Sequence, residues 1–254
     1  MKALIFAAGL GERMRPLTDH TPKPLIEAGG KPLLVWHLEK LAAMGVQDVV
    51  INTSWLAGRF PVVLGDGARW GLRIQYLYEG DTPLETGGGM LNALARLGEA
   101  PFLLVNGDIW TDFDFNRLPR EPQGLAHLVM IDPPGYATHG DFALDPAGHV
   151  RGDGERRLTY AGIGVDRPAL LDGWAQHVDD HASIAGNGKP RFRLAPILRA
   201  HMPAGRIHGE HHAGRWTDVG TPERLADLNR ELSRWRCGLR RERTVLRSVG
   251  LWML

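Results

Sequence analysis

The sequence predicts an α/β protein built on a Rossmann-like sheet, mixed but mostly parallel, with helices on both faces. Three observations support this fold class. Short apolar runs that suit buried strands alternate with segments of helical period. Several runs are followed by glycine or polar residues, as expected where parallel strands lead into loops at one sheet edge. The alternation continues without an internal repeat or a linker, which argues for one continuous domain.

The predicted elements follow in chain order. Strand signals are apolar or alternate with period two, and they occur at 3–7, 46–52, 73–78, 102–108, 125–131, 141–145 and 158–165, with a short strand-like centre in 214–220. Helical periods occupy 33–44 and 90–98. Pro32 lies near the start of the first helix and Gly45 follows its end, the positions that these residue types favour. Thr221 predicts the N-cap of a late helix.

Composition is that of a globular protein, with 43% hydrophobic and 23% charged residues among 254. No apolar run approaches the roughly 20 residues that a membrane span needs. The N-terminus passes directly into the first strand signal, without a signal-peptide pattern. A single cysteine, Cys237, suits a reducing compartment, so we expect a cytoplasmic protein without stable membrane insertion.

Charge is unevenly distributed. Residues 234–254 hold six arginines and one acid, although the whole chain has a net charge of only +1. The body is therefore mildly acidic, which argues against nucleic acid as a partner. We predict one domain over residues 1–232 and a basic C-terminal extension over 233–254. We expect this extension to be poorly ordered; the alternative is a basic amphipathic helix for a membrane surface or a partner. Nothing in the sequence selects an oligomeric state.

The segment GLGERMRPLTDHTPKPL at residues 9–25 concentrates groups that suit phosphate. Gly9 and Gly11 allow the backbone to approach a ligand and to expose N–H donors. Arg13 offers a planar donor fork for phosphate oxygens, and Lys23 stands between two prolines that restrict its backbone. The spacing is neither a Walker A motif nor GxGxxG. The alternative interpretation is a basic surface loop.

Further candidate stretches lie at predicted strand ends and helix starts. PLETGGGM at 83–90 places three glycines before a helix and predicts a loop that a planar ring could approach closely. Asp108 follows a buried strand in VNGD, a position that suits a hard cation with oxygen ligands. Asp218 lies in RWTDVG, on the late strand-like centre. A glycine-rich turn and two ordinary turn aspartates are the alternatives.

These motifs resemble the signature of the sugar-1-phosphate nucleotidylyltransferases, which open with a strand, a G-x-G-x-R loop, P-L-T and a P-K-P lysine. The resemblance implies the nucleotide-diphospho-sugar transferase fold and a loop that wraps the triphosphate of an NTP. It implies that Arg13 contacts the leaving pyrophosphate and Lys23 the α-phosphate under attack. The nucleotide-binding residues that it implies are Ala8, Gly9, Gly11, Glu12, Arg13, Lys23, Glu79, Thr86 and Gly87. Of these, Thr86 and Gly87 would line the base pocket, with Glu79 or Gly80 near its edge.

The resemblance also implies a magnesium-dependent reaction. Asp108 and Asp218 would bind one Mg²⁺ that bridges the phosphates. Arg13, Lys23 and Asp108 are the implied catalytic residues. The sugar 1-phosphate would attack the α-phosphorus, and no general base is needed because a phosphate monoester is already largely ionised near neutral pH.

Within the family, AAGLGERMRPLT, PLETGGGMLNAL and GEHHAGRWTDVGTPERL resemble the N-acetylmuramate α-1-phosphate uridylyltransferases of peptidoglycan recycling in the cell wall. This resemblance implies UTP, or another NTP, and a sugar 1-phosphate, most specifically N-acetylmuramic acid 1-phosphate. Mannose-1-phosphate guanylyltransferase and glucose-1-phosphate thymidylyltransferase are the alternatives in the same class. A non-catalytic nucleotide-sugar sensor is the alternative of another class, and the presence of all four candidate phosphate and metal residues argues against it.

The sugar side is less well defined. By resemblance it would be formed by Asn106, Gly140, Asp141, Glu155 and Gly162. Related enzymes often carry a lysine in E-K-P that contacts the sugar phosphate, whereas this chain has GERR at 154–157. An arginine of that segment, Lys189 or Arg191 are the open candidates for this contact.

The segment HGEHH at 208–212 invites a zinc interpretation. Its spacing is not HExxH, and no cysteine is near it. We therefore expect a solvated histidine loop before the strand of Asp218.

Overall fold

The computed structural model describes the backbone of residues 1–249 and the side chains of residues 1–235. Its strands are β1 (Lys2–Phe6), β2 (Glu27–Ala28), β3 (Lys31–Pro32), β4 (Asp48–Thr53), β5 (Arg73–Tyr78), β6 (Phe102–Asn106), β7 (Ile109–Thr111), β8 (Ala126–Ile131), β9 (Phe142–Leu144), β10 (Val150–Arg151), β11 (Arg157–Asp166), β12 (Ser183–Ile184), β13 (Pro190–Arg191), β14 (Ile207–His212) and β15 (Trp216–Asp218). Its α-helices are α1 (Leu33–Ala43), α2 (Arg59–Leu64), α3 (Glu85–Leu97), α4 (Leu194–His201) and α5 (Pro222–Val249).

The central sheet has the strand order β14-β8-β11-β6-β1-β4-β5, and β9 and β10 extend it beside the start of β11. Strands β6, β1, β4 and β5 pair in parallel. Strand β11 runs antiparallel to both β6 and β8, and β14 is parallel to β8. Every strand in that seven-member order except β11 therefore points the same way, which confirms the predicted mixed, mostly parallel sheet.

Two of the three apolar clusters of the core form layers, one on each face of this sheet. Successive side chains of a strand point to opposite faces. In β1, Ala3 and Ile5 accordingly belong to the layer under α1 and α2, whereas Leu4 belongs to the layer under α3 and α4. Helices therefore cover both faces, as the strand–helix alternation predicts.

The C-terminal ends of β1, β4 and β6 meet at one edge of the sheet. Phe6, the last residue of β1, pairs with Asn52 on one side and Asn106 on the other. A short ribbon lies beyond this edge, in which β15 pairs antiparallel with β7 and Asp218 pairs with Ile109. The backbone N–H of Val219 donates to the carbonyl of Asp108 at 2.9 Å. Two segments that are far apart in the sequence thus converge where ligands bind in such sheets.

Two local predictions are wrong. The three glycines of TGGG form the first turns of α3 rather than a loop before it, and all three are buried. They are needed for close packing, because a Cβ at Gly88 would lie 2.4 Å from the carbonyl oxygen of Pro190. The expected histidine loop is strand β14, held by six parallel pairings with β8.

The late helix begins as predicted. The N–H of Leu225 donates to the carbonyl of Thr221 at 3.1 Å, and Pro222 is the first helical residue. Helix α5 then continues across residue 232 to Val249. The expected order and partners of the basic extension stay predictions, because its side chains from residue 236 on, and residues 250–254 entirely, lie outside the described part. No described helix combines the length and apolar character required to cross a membrane.

Candidate functional site

The loop after β1 borders a cavity of about 350 Å³ at the C-terminal edge of the sheet. Gly11 adopts a φ of +68°, and a Cβ there would lie 2.8 Å from Cγ2 of Thr18. The Thr18 hydroxyl in turn donates to the carbonyl of Gly11 at 2.9 Å. These contacts fix the fold of the loop, and its residues Ala8, Gly9 and Leu10 line the cavity.

Lys23 and Asp108 meet in this cavity. The Lys23 ammonium donates to Oδ2 of Asp108 at 2.5 Å, and the lysine is only 8% exposed. Lys23 belongs to a 3-10 turn over Lys23–Leu25, which directs the side chain toward the strand end. The pair places a cation and a carboxylate together at the end of β6.

Asp218 lies close to this pair but has different partners. Nη1 of Arg224 donates to both carboxylate oxygens at 2.7 Å, and the Tyr136 hydroxyl donates to Oδ1. The Arg224 guanidinium lies over the Tyr136 ring, 3.4 Å from its centroid. Arg13 is exposed and reaches the same region, because a Cβ at Gly220 would lie 3.5 Å from its Nη2.

Helix α1 supports the segment that follows Asp108. His37 Nε2 lies 2.9 Å from the carbonyl of Ile109, and the Lys40 ammonium donates to the carbonyls of Thr111 and Phe113 at 2.7 Å each. Burial lowers the pKa of His37 to about 4, so the ring is neutral near pH 7 and donates to the carbonyl through Nε2. Burial also lowers the pKa of Lys40 to about 8. Strand β7 directly follows Asp108 and pairs with the strand of Asp218. Side chains of α1 therefore hold the segment that positions both aspartates.

The other end of the cavity contains the residues expected at the base pocket. Thr86 and Glu79 line it, but Glu79 is only 1% exposed and each of its carboxylate oxygens accepts a hydrogen bond from the protein. Gly87 lies behind the surface: its N–H donates to the Phe192 carbonyl at 3.0 Å. The Gly87 N–H is therefore already used within the protein and is not free to contact a base, as the resemblance had implied. Glu12 faces a separate cavity beside Trp55.

A second cavity of about 200 Å³ adjoins the first, and Phe6, Thr86 and Asn106 line both. Asp141 and Arg199 also line this second cavity. Arg199 donates to the Asp141 carbonyl at 3.2 Å and forms no salt bridge with a described side chain. The cavity thus has a cation at the place expected for the sugar, without a carboxylate partner among the side chains of residues 1–235.

The remaining sugar-side predictions divide into two groups. Gly162 supports Asn106 from behind, since a Cβ there would lie 2.3 Å from its Nδ2, and Gly140 packs against the backbone of Arg157. Glu155 is exposed and lines neither cavity. Arg156 pairs with Asp132, and Arg157 donates to three backbone carbonyls. Neither arginine of GERR lines either of the two adjoining cavities.

Of the other open candidates for that contact, Arg191 lines the larger cavity but is tied to Glu85 at 2.6 Å and to the Pro83 carbonyl. Lys189 lines neither cavity. Sequence reasoning missed Arg199, Tyr136, Arg224 and Asn52. Only Arg224 belongs to one of the recognised motifs. Its position in the first turn of the helix after Asp218 is the sequence signal that could have identified it.

The two aspartates fit a hard divalent cation. Their backbones meet through the β7–β15 ribbon, and oxygen ligands are what Mg²⁺ prefers. Asp108 Oδ1 accepts no hydrogen bond from the side chains or backbone described through residue 235. The histidines of HGEHH are instead dispersed along β14, with His211 against Asp132 and His212 against Asp112. Within the described residues, no three His, Cys, Asp or Glu side chains form a metal cluster.

Comparison with known proteins agrees with this geometry. The family model described as nucleotidyl transferase matches residues 2–139. The chain is 43% identical to an N-acetylmuramate alpha-1-phosphate uridylyltransferase of Neisseria meningitidis, over 93% of this chain and 100% of that protein. It is 33% identical to the enzyme of the same description from Caulobacter vibrioides, over 87% of this chain and 92% of that protein.

Solved structures share the fold at low identity. HddC from Yersinia pseudotuberculosis aligns with a TM-score of 0.68 and 20% identity, over 91% of this chain and 98% of that one. A Bacillus anthracis protein described as a putative glucose-1-phosphate thymidylyltransferase aligns with a TM-score of 0.78 and 19% identity, over 91% and 95% of the two chains. Together with the site geometry, the family match and the sequence relatives show that this chain belongs to the nucleotidyl transferase family, as an enzyme of the sugar-1-phosphate nucleotidylyltransferase type.

Proposed function

We propose that this enzyme transfers the uridylyl group of UTP to N-acetylmuramic acid 1-phosphate, in a magnesium-dependent reaction of cell-wall recycling. The observation that carries the proposal is the 43% identity to the Neisseria uridylyltransferase over 93% of this chain and 100% of that one. A relative described as mannose-1-phosphate guanylyltransferase, from Mycobacterium tuberculosis, is 30% identical, and the chain spans 61% of it. UTP is a cytoplasmic metabolite, so the proposal places the reaction in the cytoplasm.

The two adjoining cavities support a two-substrate reaction. The larger one contains the phosphate loop, Lys23 and Asp108 and suits the nucleotide. The smaller one suits the sugar, and Asn106 lies on the boundary that the two cavities share. The transferred phosphorus would then lie near Lys23, between the two substrates.

The reaction balances without a protein nucleophile or base. An oxygen of the sugar 1-phosphate attacks the α-phosphorus of UTP, the bond from that phosphorus to the β-phosphate oxygen breaks, and pyrophosphate leaves. The attacking phosphate is already ionised near neutral pH. Lys23 would neutralise charge that develops on the α-phosphate, and Arg13 would hold the leaving pyrophosphate.

Asp108 and Asp218 would hold the magnesium ion, and their carboxylates match its ligand preference. When bound, Mg²⁺ neutralises phosphate charge and polarises the phosphoryl oxygens. In the described structure, the two carboxylates are paired with Lys23 and Arg224. These two cations reduce the electrostatic repulsion between the neighbouring carboxylates while phosphate and metal are not bound.

The presence of Arg199 in the smaller cavity supports the proposal that the sugar substrate is acidic. N-acetylmuramic acid 1-phosphate has two anionic groups, a phosphate and a carboxylate, whereas glucose and mannose 1-phosphates have only the phosphate. Arg199 is the cation of the smaller cavity, and its guanidinium carbon lies 4.8 Å from the centroid of the Phe142 ring. We propose that it contacts one of these anionic groups.

The test is pyrophosphate release with Mg²⁺, crossing UTP, GTP, dTTP, CTP and ATP with the 1-phosphates of N-acetylmuramic acid, N-acetylglucosamine, glucose and mannose. The proposal predicts the highest kcat/KM for UTP with N-acetylmuramic acid 1-phosphate. A dominant GTP–mannose or dTTP–glucose signal would overturn the substrates but not the reaction. Folded protein that binds nucleotide yet releases no pyrophosphate in any combination would favour a sensor.

A matched variant examines the sugar side. Arg199→Gln keeps a hydrogen-bonding side chain but removes the charge. The proposal predicts that it raises the KM for N-acetylmuramic acid 1-phosphate by about tenfold, as loss of one charge-assisted contact does, with UTP binding unchanged. An unchanged KM would remove Arg199 from the proposal.

A further inference from the structure

A buried Asn–Glu pair connects the two ends of the nucleotide cavity. Asn52 is 2% exposed and Glu79 is 1% exposed, and they are the last residue but one of β4 and the residue that follows β5. Nδ2 of Asn52 donates to Oε1 of Glu79 at 2.7 Å. Both residues line the cavity. A buried carboxylate carries a large desolvation cost, so a specific reason for its presence is expected.

On one side, the pair reaches the phosphate loop. The N–H of Ala7, the first residue after β1, donates to Oδ1 of Asn52 at 2.6 Å. A backbone N–H can only donate, so this bond fixes which end of the Asn52 amide is oxygen. The Asn52 NH₂ group must then face Glu79, which makes the carboxylate an obligatory acceptor.

On the other side, the pair reaches the base end of the cavity. Oε2 of Glu79 accepts from the N–H of Leu84 at 2.9 Å, immediately before α3. The glycine at position 89 makes room for the pair, because a Cβ there would lie 2.7 Å from Oε1 of Glu79 and 2.8 Å from Nδ2 of Asn52. The backbone N–H groups of Ala7 and Leu84 are thus joined in a direct chain through the two side chains.

We propose that Asn52 and Glu79 are positioning residues that hold the phosphate loop at Ala7 and the base-side turn at Leu84 at a fixed separation for one NTP. This inference rests on the proposed nucleotide-binding function of the cavity. It assigns Glu79 a role through its protein partners, whereas the family resemblance suggested a place at the edge of the base pocket. Both Glu79 oxygens are already occupied by protein donors.

The hydrogen-bond pattern offers a swap experiment. In Glu79→Gln, the side chain presents one oxygen and one NH₂ group to two donors, so one donor loses its acceptor. In Asn52→Asp with Glu79→Gln, the donor and acceptor roles reverse between the two positions. The carboxylate introduced at position 52 accepts from the Ala7 N–H and from the introduced Gln amide, whose oxygen accepts from the Leu84 N–H.

The double variant is therefore a matched rescue of Glu79→Gln. The net charge of the pair is unchanged, because one carboxylate is gained and one is lost. The reversed pair keeps every hydrogen bond that the native pair makes, while position 79 carries an amide instead of a carboxylate.

The measurement is calorimetric binding of UTP, CTP and dTTP with Mg²⁺ and without sugar phosphate, so that no turnover occurs. The proposal predicts that Glu79→Gln weakens all three nucleotides by a similar factor of about ten or more, as loss of a buried hydrogen bond does. The swapped double variant should bind UTP within about threefold of the native enzyme. The KM for the sugar 1-phosphate should stay unchanged throughout, a result that general destabilisation would not give.

Ser54→Ala is the matched control. The Ser54 hydroxyl donates to the Gly80 carbonyl at 2.6 Å. This bond also links the ends of β4 and β5, but it does not involve the Glu79 carboxylate. The substitution should change UTP affinity by less than about threefold. An equal loss in this control would overturn the assignment to the Asn52–Glu79 pair.

Other outcomes would also overturn the proposal. A folded double variant that binds UTP as weakly as Glu79→Gln would show that the carboxylate itself is needed at position 79, which indicates direct contact with the nucleotide. A change in the ranking of the three nucleotides would indicate the same. If Glu79→Gln does not fold, the double variant alone decides between these results. Native enzyme that binds no NTP would refute the proposed function itself, whereas native binding with unaffected variants would refute only the positioning role.

Discussion

The two carboxylates of the candidate site are each paired with a cation, but the two pairs are built differently. Asp108 has one described partner, the buried Lys23, at 2.5 Å. Asp218 has two: Arg224 donates to both of its oxygens, and the Tyr136 hydroxyl donates to one. The first pair comes from two sequence motifs, whereas the second draws on β15, α5 and the loop between β8 and β9.

This difference separates two tasks. Lys23 is 8% exposed and lines the larger of the two adjoining cavities, so its side chain has little freedom to move. Arg224 and Tyr136 line neither of the two adjoining cavities, and Tyr136 is 49% exposed. We therefore expect the Lys23–Asp108 pair to act on the reaction rate and the Arg224–Asp218 pair to act mainly on metal affinity.

The largest effect is expected from Lys23→Gln. It removes the cation that would neutralise the α-phosphate and leaves Asp108 without its partner. We expect kcat to fall by about a thousandfold, or about 4 kcal/mol of transition-state stabilisation, with UTP binding weakened far less. Single-turnover rates and calorimetry measure the two quantities separately. A thermal melt checks that the variant is folded, and a kcat within about tenfold of the native value would contradict the role of Lys23.

An intermediate effect is expected from Arg224→Gln. The substitution removes a positive charge next to Asp218, so a divalent cation should bind there more readily. We expect the Mg²⁺ concentration at half-maximal rate to fall by about threefold, while kcat falls by up to about tenfold because Asp218 loses its fixed orientation. A Mg²⁺ titration of the initial rate measures both. An unchanged or higher half-saturation concentration would show that Arg224 does not compete with the metal.

The smallest effect is expected from Tyr136→Phe. This change removes the hydroxyl that donates to Asp218 but keeps the ring beneath the Arg224 guanidinium. Loss of one partly exposed hydrogen bond predicts a change of about threefold or less in Mg²⁺ half-saturation. Tyr136→Ala, which also removes the ring, should have the larger effect of the two. Equal effects would mean that the hydroxyl bond to Asp218, and not the contact between the ring and Arg224, accounts for the role of Tyr136.

The two pairs also show what sequence reasoning can reach. Strand β5 was predicted with its observed bounds, and the motifs of Lys23 and Asp108 lie at the sheet edge where the loops after parallel strands converge. The hydrogen bonding of Asp218 depends in part on Tyr136, which lies in the loop between β8 and β9. Tertiary packing sets the path of this loop. No local pattern around Tyr136 indicates that contact.

The wrong predictions have a similar origin. The glycines of TGGG suggested an open loop, but their absent side chains serve a close helix contact with Pro190 and Phe192. Strand β14 contains HGEHH, which lacks the apolar alternation of a half-buried strand, and it is held by pairing with β8. In both places, a tertiary neighbour overrides the local preference of the sequence.

The most direct test of the central claim, that the two aspartates serve one reaction centre, is a double-variant cycle. The rates of Asp108→Asn, Asp218→Asn and the double variant are compared at saturating UTP, N-acetylmuramic acid 1-phosphate and Mg²⁺. If both carboxylates act through one shared ion, loss of either one already removes most of the ion's contribution to the rate. The double variant should then react within about threefold of the slower single variant. Losses that multiply in the double variant would contradict a shared centre.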